Sequence, residues 1–227
     1  MGSHVPGPNV LGQVTAAADG RQPSAPHSRG VAYDLNNLLT VIIGYTDLSL
    51  RKGGLEDSIR HNLEEIKQAS ERAACLIRRL RDASTQPIIE TNAARGFETI
   101  LLVEDDDLMR AMTRKILMEA GYYVLDVGSG EEAIRLGRDY GGPINLLLTD
   151  VVMPKMCGRE VAEHLLELRP TAGVLFMSGY TDDAIERHGG LHANADLIQK
   201  PFTWVSLAKR VRDVLDQINS SSISHQV

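Results

Sequence analysis

Acidic residues follow two short apolar segments of this 227-residue chain, at positions suited to ionic chemistry. Glu104 and Asp105 come directly after segment 100–103, and Asp150 comes shortly after segment 146–148. Short apolar segments bounded by turn residues are typical of parallel strands that are buried on both faces. Because an open α/β sheet binds ligands at the carboxyl ends of its strands, we expect these carboxylates to converge.

Two further predicted strands end in a hydroxyl and an ammonium group. Segment 174–177 is followed by Ser178, and segment 195–198 is followed shortly by Lys200. Carboxylates suit Mg²⁺, which takes oxygen ligands and commonly bridges them to phosphate, while a hydroxyl and an ammonium can hold phosphoryl oxygens. The set therefore predicts a phosphoryl-transfer site in which the Asp150 carboxylate attacks phosphorus and becomes an aspartyl phosphate.

The segments that carry these residues resemble the four motif blocks of a response-regulator receiver domain, namely VEDDDLMR, LLLTDVVMPKMCG, FMSGY and QKPF. The resemblance covers residues 98–218. It implies that Asp150 is the phosphoacceptor, and that Glu104 and Asp105 bind the metal together with it.

The same resemblance assigns the family's hydroxyl residue to Ser178 and its lysine to Lys200. One position departs from the family pattern. Leu197 stands three residues before the lysine, where the family usually has an aromatic switch residue. The usual hydroxyl-to-aromatic conformational relay is therefore in question, whereas the phosphorylation chemistry does not need it.

Strand and helix patterns alternate five times in this region, which predicts an α/β fold with a (βα)5 doubly wound parallel sheet. We expect the strand order 2-1-3-4-5, with the site at the switch between strands 1 and 3. The second strand is predicted at residues 122–127, on the sheet edge. Helices are expected near residues 107–120, 130–140, 158–168, 182–188 and 203–218, and Asp106 and Asp107 are expected to cap the first of them.

Residues 28–83 show a helical pattern of apolar residues that is interrupted once, at Gly53 and Gly54. The first helix carries a stripe at spacings of three and four, formed by Val31, Leu35, Leu38, Ile42 and Tyr45. Two helices of similar length joined by a short turn form an antiparallel hairpin. Because a lone hairpin cannot bury so wide a stripe, we expect two copies to pair as a four-helix bundle, which makes the protein a homodimer.

The segment VAYDLNNLLTVIIGY resembles the H-box of the dimerisation and phosphotransfer domain of sensor histidine kinases. Tyr33 stands where that motif has its phosphoacceptor histidine, and Asp34 and Asn37 follow as expected. A phenol with a reference pKa near 10 is a far poorer nucleophile than a neutral imidazole at pH 7, so autophosphorylation on histidine is excluded here. Tyr33 is expected to be a half-buried residue of the bundle, with a phosphotyrosine as the minor alternative.

No ATPase domain lies between the hairpin and the receiver-like region, because residues 84–97 have the composition of a linker. Three functions follow. The first is a phosphorelay protein that receives its phosphoryl group from a cognate histidine kinase or phosphotransfer protein. The second is a phosphatase platform, in which Asn37 positions the water that hydrolyses an aspartyl phosphate. The third is a truncated or variant hybrid histidine kinase.

Composition narrows the range of partners. The net charge is −6 without a long basic segment, so neither nucleic acid nor an anionic membrane surface is indicated. No apolar segment approaches the roughly 20 residues that span a bilayer, so we expect a cytoplasmic protein. Residues 1–27 are predicted to be a disordered tail, and residues 219–227 a frayed one.

Overall fold

The computed structural model describes residues 26–81, 96–179 and 195–223. They form an α-helical hairpin followed by an α/β domain. The predicted helix at residues 182–188, most of the linker and nearly all of the predicted N-terminal tail lie outside the described residues.

The hairpin consists of α1 (Pro26–Leu50) and α2 (Asp57–Arg81). The turn between them contains Gly53 and Gly54, as predicted, and Gly54 has a φ of 79°, in the left-handed region that favours glycine. The first helix begins at Pro26, slightly before the predicted start at residue 28, because proline is compatible with the first turn of a helix.

The α/β domain is built on a five-stranded parallel sheet with the order β2-β1-β3-β4-β5, which confirms the predicted topology. The strands are β1 (Thr99–Val103), β2 (Tyr123–Val127), β3 (Leu146–Asp150), β4 (Gly173–Ser178) and β5 (Leu197–Gln199). Every residue of β1 and β3 is buried, as expected for central strands covered on both faces. The carboxyl ends of these two strands lie side by side, since Val103 pairs with Thr149.

Four helices of the described residues pack around this sheet: α3 (Asp107–Glu119), α4 (Gly130–Asp139), α5 (Gly158–Leu168) and α6 (Trp204–Ile223). The carboxylate of Asp106 caps α3 by accepting hydrogen bonds from the N–H groups of Leu108 and Met109, which confirms the predicted cap. The structure differs from the predicted frayed tail after residue 218, because α6 continues to Ile223. Ser220 supports this extension with a hydrogen bond of 2.8 Å to the Asp216 carbonyl.

The hairpin packs directly against the α/β domain, with α1 lying on α3 and on the start of α6. Leu48 of α1 is 1% exposed and belongs to the same hydrophobic core as Met112, Leu207 and Val211 of the α/β domain. A second core covers the other face of the sheet and includes Leu101, Leu147 and Val161. Hairpin and α/β domain therefore share one core, an arrangement that the sequence did not predict.

Candidate functional site

The predicted acidic cluster assembles at the carboxyl ends of β1 and β3. One carboxylate oxygen from each of Glu104, Asp105 and Asp150 lies within 4.8 Å of the other two. Glu104 and Asp150 are fully buried, whereas Asp105 is exposed. Three converging carboxylate oxygens suit Mg²⁺, which prefers oxygen ligands and completes its coordination with waters. The residues present therefore fit the predicted metal.

Lys200 places its ammonium group between the two buried carboxylates. Its Nζ lies 2.7 Å from Oδ2 of Asp150 and 2.9 Å from Oε2 of Glu104, and its side chain is fully buried. Burial opposes the charge on Lys200, but the two carboxylates outweigh it and hold the lysine pKa above its usual value. A buried cation fixed beside Asp150 is positioned to neutralise charge on a group attached to that carboxylate.

Burial also changes the pKa values of Glu104 and Asp105, the two acids that follow β1. It raises the pKa of the Glu104 carboxyl to about 7, although Lys200 works in the opposite direction. The pKa of Asp105 is raised as well, by partial desolvation at the edge of the cluster and by the charge of Asp150. Crowded carboxylates of this kind favour binding of a cation, because a cation relieves both the repulsion and the desolvation.

The loop after β3 holds the Asp150 carboxylate in a fixed orientation. The N–H of Val152 donates to Oδ1 of Asp150 at 3.3 Å, which orients the carboxylate. Gly158 begins α5 against the same strand end, and a Cβ added there would lie only 2.1 Å from the Asp150 carbonyl oxygen. A glycine is therefore needed for α5 to start this close to the acidic residue.

Ser178 and Leu197 occupy the remaining predicted positions. Ser178 is fully buried at the carboxyl end of β4, one residue beyond Met177, which pairs with Asp150. Leu197 begins β5 and pairs with Phe176, and its half-buried side chain packs on the second core. The structure thus places an aliphatic side chain where the resemblance leads one to expect an aromatic switch residue.

The hairpin contributes Tyr33 to this cluster, whereas the sequence predicted only a half-buried residue of the bundle at this position. The hydroxyl of Tyr33 donates a hydrogen bond of 2.6 Å to Oδ2 of Asp150. The side-chain amide of Asn36 donates to the carbonyl of Gly179, directly after Ser178, at 3.2 Å. The only sequence signal for this contact was the position of Tyr33 in the histidine-kinase-like motif, where that motif has its phosphoacceptor histidine.

The surroundings of Tyr33 keep its hydroxyl protonated. Burial raises the pKa of the phenol above its usual value, and the charge of Asp150 adds to this effect, although Lys200 lowers it. Asn37 lies beside the hydroxyl, is 8% exposed, and has a side-chain Oδ1 without a hydrogen-bond partner among the described residues. Asp34, the third predicted residue of this motif, is exposed.

Comparison with known proteins identifies both parts of the chain. Residues 100–212 match the family model of the response regulator receiver domain. The response regulator receiver protein CpdR of Brucella abortus (strain 2308) is 36% identical over 117 residues, which cover 51% of this chain and 95% of that protein. The chain belongs to the response-regulator receiver family. Residues 28–86, which include the hairpin that packs on this receiver, match the family model of the His Kinase A (phospho-acceptor) domain.

The chain is also similar to part of a sensor kinase and to the solved receiver domain of a hybrid histidine kinase. The sensor kinase CckA of Brucella abortus (strain 2308) is 35% identical over 122 residues, which cover 54% of this chain but only 13% of the kinase. The solved receiver domain of a hybrid histidine kinase CckA is 33% identical, with 52% of this chain and 98% of that chain covered and a TM-score of 0.44. A receiver joined to a His Kinase A region places the protein in two-component signalling. None of its described helices is long and apolar enough to cross a bilayer.

Proposed function

We propose that this protein is a phosphorelay component whose receiver accepts a phosphoryl group on Asp150 from a partner histidine kinase or phosphotransfer protein. The contact of 2.7 Å between Lys200 and the Asp150 carboxylate carries the proposal. A buried lysine supplies a fixed positive charge beside Asp150, where it can hold a negatively charged oxygen of the transferred phosphoryl group.

The other residues of the site have complementary roles. Glu104, Asp105 and Asp150 would hold Mg²⁺, which supplies positive charge to the phosphoryl oxygens when it is bound. The Ser178 hydroxyl, buried at the end of β4, would hold a phosphoryl oxygen. The added charge of about −1.5 to −2 would then change how this end of the sheet contacts its neighbours.

The phosphorylation site is tested by incubating the full chain with acetyl phosphate and Mg²⁺ and measuring its intact mass. We expect one phosphoryl group that hydroxylamine removes, as for an acyl phosphate, and none in Asp150→Asn. The matched control Asp139→Asn, an exposed residue of α4, should be labelled like the wild type. Labelling that persists in Asp150→Asn would contradict the assignment.

The hairpin would act as a dimerisation element that does not phosphorylate itself, because a phenol replaces the imidazole at residue 33. The predicted stripe on α1 is exposed in the single chain: Val31 is 58% exposed, Leu38 54% and Ile42 41%. Ile59 and Ile66 of α2 are exposed as well. This stripe lies apart from the face of α1 that packs on the receiver, so a second hairpin can cover it without disturbing the site.

Sedimentation of the full chain tests the dimer. Leu38→Glu places a charge in the stripe and should yield a monomer, whereas Leu166→Glu, at an exposed leucine of α5, should not. A wild-type protein that sediments as a monomer at every concentration would rule out the predicted homodimer.

A second candidate function is a phosphatase activity of the hairpin. It is favoured by the buried Asn37 oxygen that has no partner among the described residues, since such an oxygen can accept a hydrogen bond from an attacking water. Asn37→Ala should then lengthen the lifetime of the aspartyl phosphate, while Asn62→Ala, at an exposed residue of α2, should leave it unchanged. An unchanged lifetime in Asn37→Ala would exclude this activity.

A further inference from the structure

Tyr33 of α1 covers one oxygen, Oδ2, of the Asp150 carboxylate. Oδ2 accepts hydrogen bonds from both the Tyr33 hydroxyl, at 2.6 Å, and the Lys200 ammonium, at 2.7 Å. A phosphoryl group attached to Oδ2 would occupy the space in which the phenol hydroxyl lies. The Tyr33 contact and a phosphorylated Oδ2 therefore exclude each other.

The other end of α1 is fixed to the receiver by polar contacts around Trp204, the first residue of α6. Asp47 accepts a hydrogen bond of 3.1 Å from the backbone N–H of Trp204, and its second oxygen lies 2.7 Å from Nζ of Lys67. The guanidinium of Arg51 lies 3.5 Å from the centroid of the Trp204 ring. Tyr33 and Asp47 are about 14 residues apart, which corresponds to roughly 21 Å of helix.

Between these two ends, α1 approaches the receiver so closely that a side chain would not fit. A Cβ added at Gly44 would lie 2.3 Å from the sulfur of Met112, a fully buried residue of α3. Asn36 and Thr40 are also buried along this face. The helix thus contacts the receiver continuously, from the acceptor aspartate to the start of α6.

We propose that α1 is an intramolecular lid on the receiver, which Tyr33 closes over Asp150 and which must open before this residue is phosphorylated. The inference rests on the proposed function, because it concerns access to the same carboxylate. A phosphodonor protein has to compete with α1 for the surface around Asp150. Once the phosphoryl group is attached, Tyr33 cannot return to its place, so phosphorylation favours the open state and exposes the face of α1 that carries Asn36 and Thr40.

The lid is tested by the initial rate at which acetyl phosphate labels Asp150 in the full chain with Mg²⁺. In this reaction a carboxylate oxygen forms a new bond to phosphorus, the bond from phosphorus to the acetyl oxygen breaks, and acetate leaves with the electron pair. Tyr33→Phe deletes the hydroxyl and its hydrogen bond and should raise the rate by about tenfold, the factor expected for a hydrogen bond to a charged group. Tyr33→Ala also removes the ring, which lies against Gly179, and should raise the rate further.

Tyr45→Phe makes the same change on the same helix at a residue that is 38% exposed, and should label at the wild-type rate. Equal rates in the wild type and both Tyr33 variants, with Asp150 labelled in all, would overturn the lid and leave the proposed function standing. No label on Asp150 in any variant would overturn the proposed function itself. If Tyr33→Ala does not fold, Tyr33→Phe decides alone, and a rate equal to that of the wild type contradicts the lid.

Discussion

The hydroxyl of Tyr33 lies 2.6 Å from the Asp150 carboxylate, although 117 positions separate the two residues in sequence. Tyr33 stands where the histidine-kinase-like motif has its phosphoacceptor, and Asp150 is the predicted acceptor of the receiver. The hairpin therefore faces its own receiver in the orientation that phosphoryl transfer between the two would need, but with a phenol in place of the imidazole.

This orientation predicts that Tyr33→His restores transfer within the chain. After loading with acetyl phosphate, a ring nitrogen would attack phosphorus, the bond from phosphorus to Asp150 would break, and the carboxylate would leave. An imidazole reaches less far than a phenol hydroxyl, so it leaves room for the phosphoryl group. We expect a fraction of the phosphate to become stable to alkali and labile to acid, as phosphohistidine is. In the control Tyr33→Phe, all of the bound phosphate should stay labile to alkali. If all of the phosphate in Tyr33→His is also labile to alkali, the proposed orientation of residue 33 toward Asp150 is contradicted.

Removal of the buried ammonium should destabilise the receiver. Lys200→Met leaves Glu104 and Asp150 buried without their counter-charge, and breaking a buried ion pair in this way costs about 3 kcal/mol or more. Urea unfolding measures the loss. The double variant Lys200→Met with Glu104→Gln should recover part of it, because one buried charge is then gone. An unchanged free energy of unfolding in Lys200→Met would show that the ion pairs contribute little.

Magnesium should stabilise the folded protein through the same carboxylates. At a free Mg²⁺ concentration of 100 times the dissociation constant, binding adds about 2.7 kcal/mol to the free energy of unfolding. Asp105→Asn should weaken this effect, because it removes an oxygen charge from the cluster without touching the Lys200 ion pairs. Asp107→Asn, at the first residue of α3 and outside the cluster, is the control. Equal stabilisation of both variants would exclude Asp105 as a ligand.

Asp47 should control how firmly the hairpin is held. Asp47→Ala removes the carboxylate that accepts a hydrogen bond from the Trp204 N–H, and loss of a hydrogen bond to a charged group costs about 1.5 kcal/mol or more. The variant should unfold at a lower urea concentration and should also label faster with acetyl phosphate, because a weaker attachment opens the lid more often. Asp139→Ala, at an exposed residue, is the control. A variant that is less stable but is not labelled faster would show that the attachment of α1 at Asp47 does not control access to Asp150.

Most of the α/β domain was predictable because its signals are local. The fully buried strands β1 and β3 are short apolar segments that end in acids, and both the topology and the convergence of Glu104 and Asp150 follow from the rules for parallel sheets. The extension of α6 was missed because its last residues are polar, and a serine hydroxyl supports them by bonding within the helix.

Docking of the hairpin was not predictable from periodicity. The apolar stripe of α1 indicates one buried face, and the structure leaves that stripe exposed. The face that packs on the receiver carries Asn36, Thr40, Gly44 and Asp47, which are polar or small residues typical of a solvent-facing side. Asn36, Gly44 and Asp47 are buried because each has a specific partner or a close approach on the receiver, a property of the tertiary structure that no single helix reveals. Thr40 instead bonds to the Asn36 carbonyl of its own helix.

Trp204 is the only tryptophan of the chain, is 7% exposed, and lies under Arg51 of the hairpin, so its fluorescence reports whether the lid is closed. Acrylamide quenching of this fluorescence before and after phosphorylation, with Asp150→Asn as the blank, tests most directly whether phosphorylation displaces the hairpin. We expect quenching to increase when the wild type is phosphorylated and to stay constant in the variant. Unchanged quenching in a wild-type protein whose mass shows a phosphoryl group on Asp150 would contradict the claim that phosphorylation displaces the hairpin.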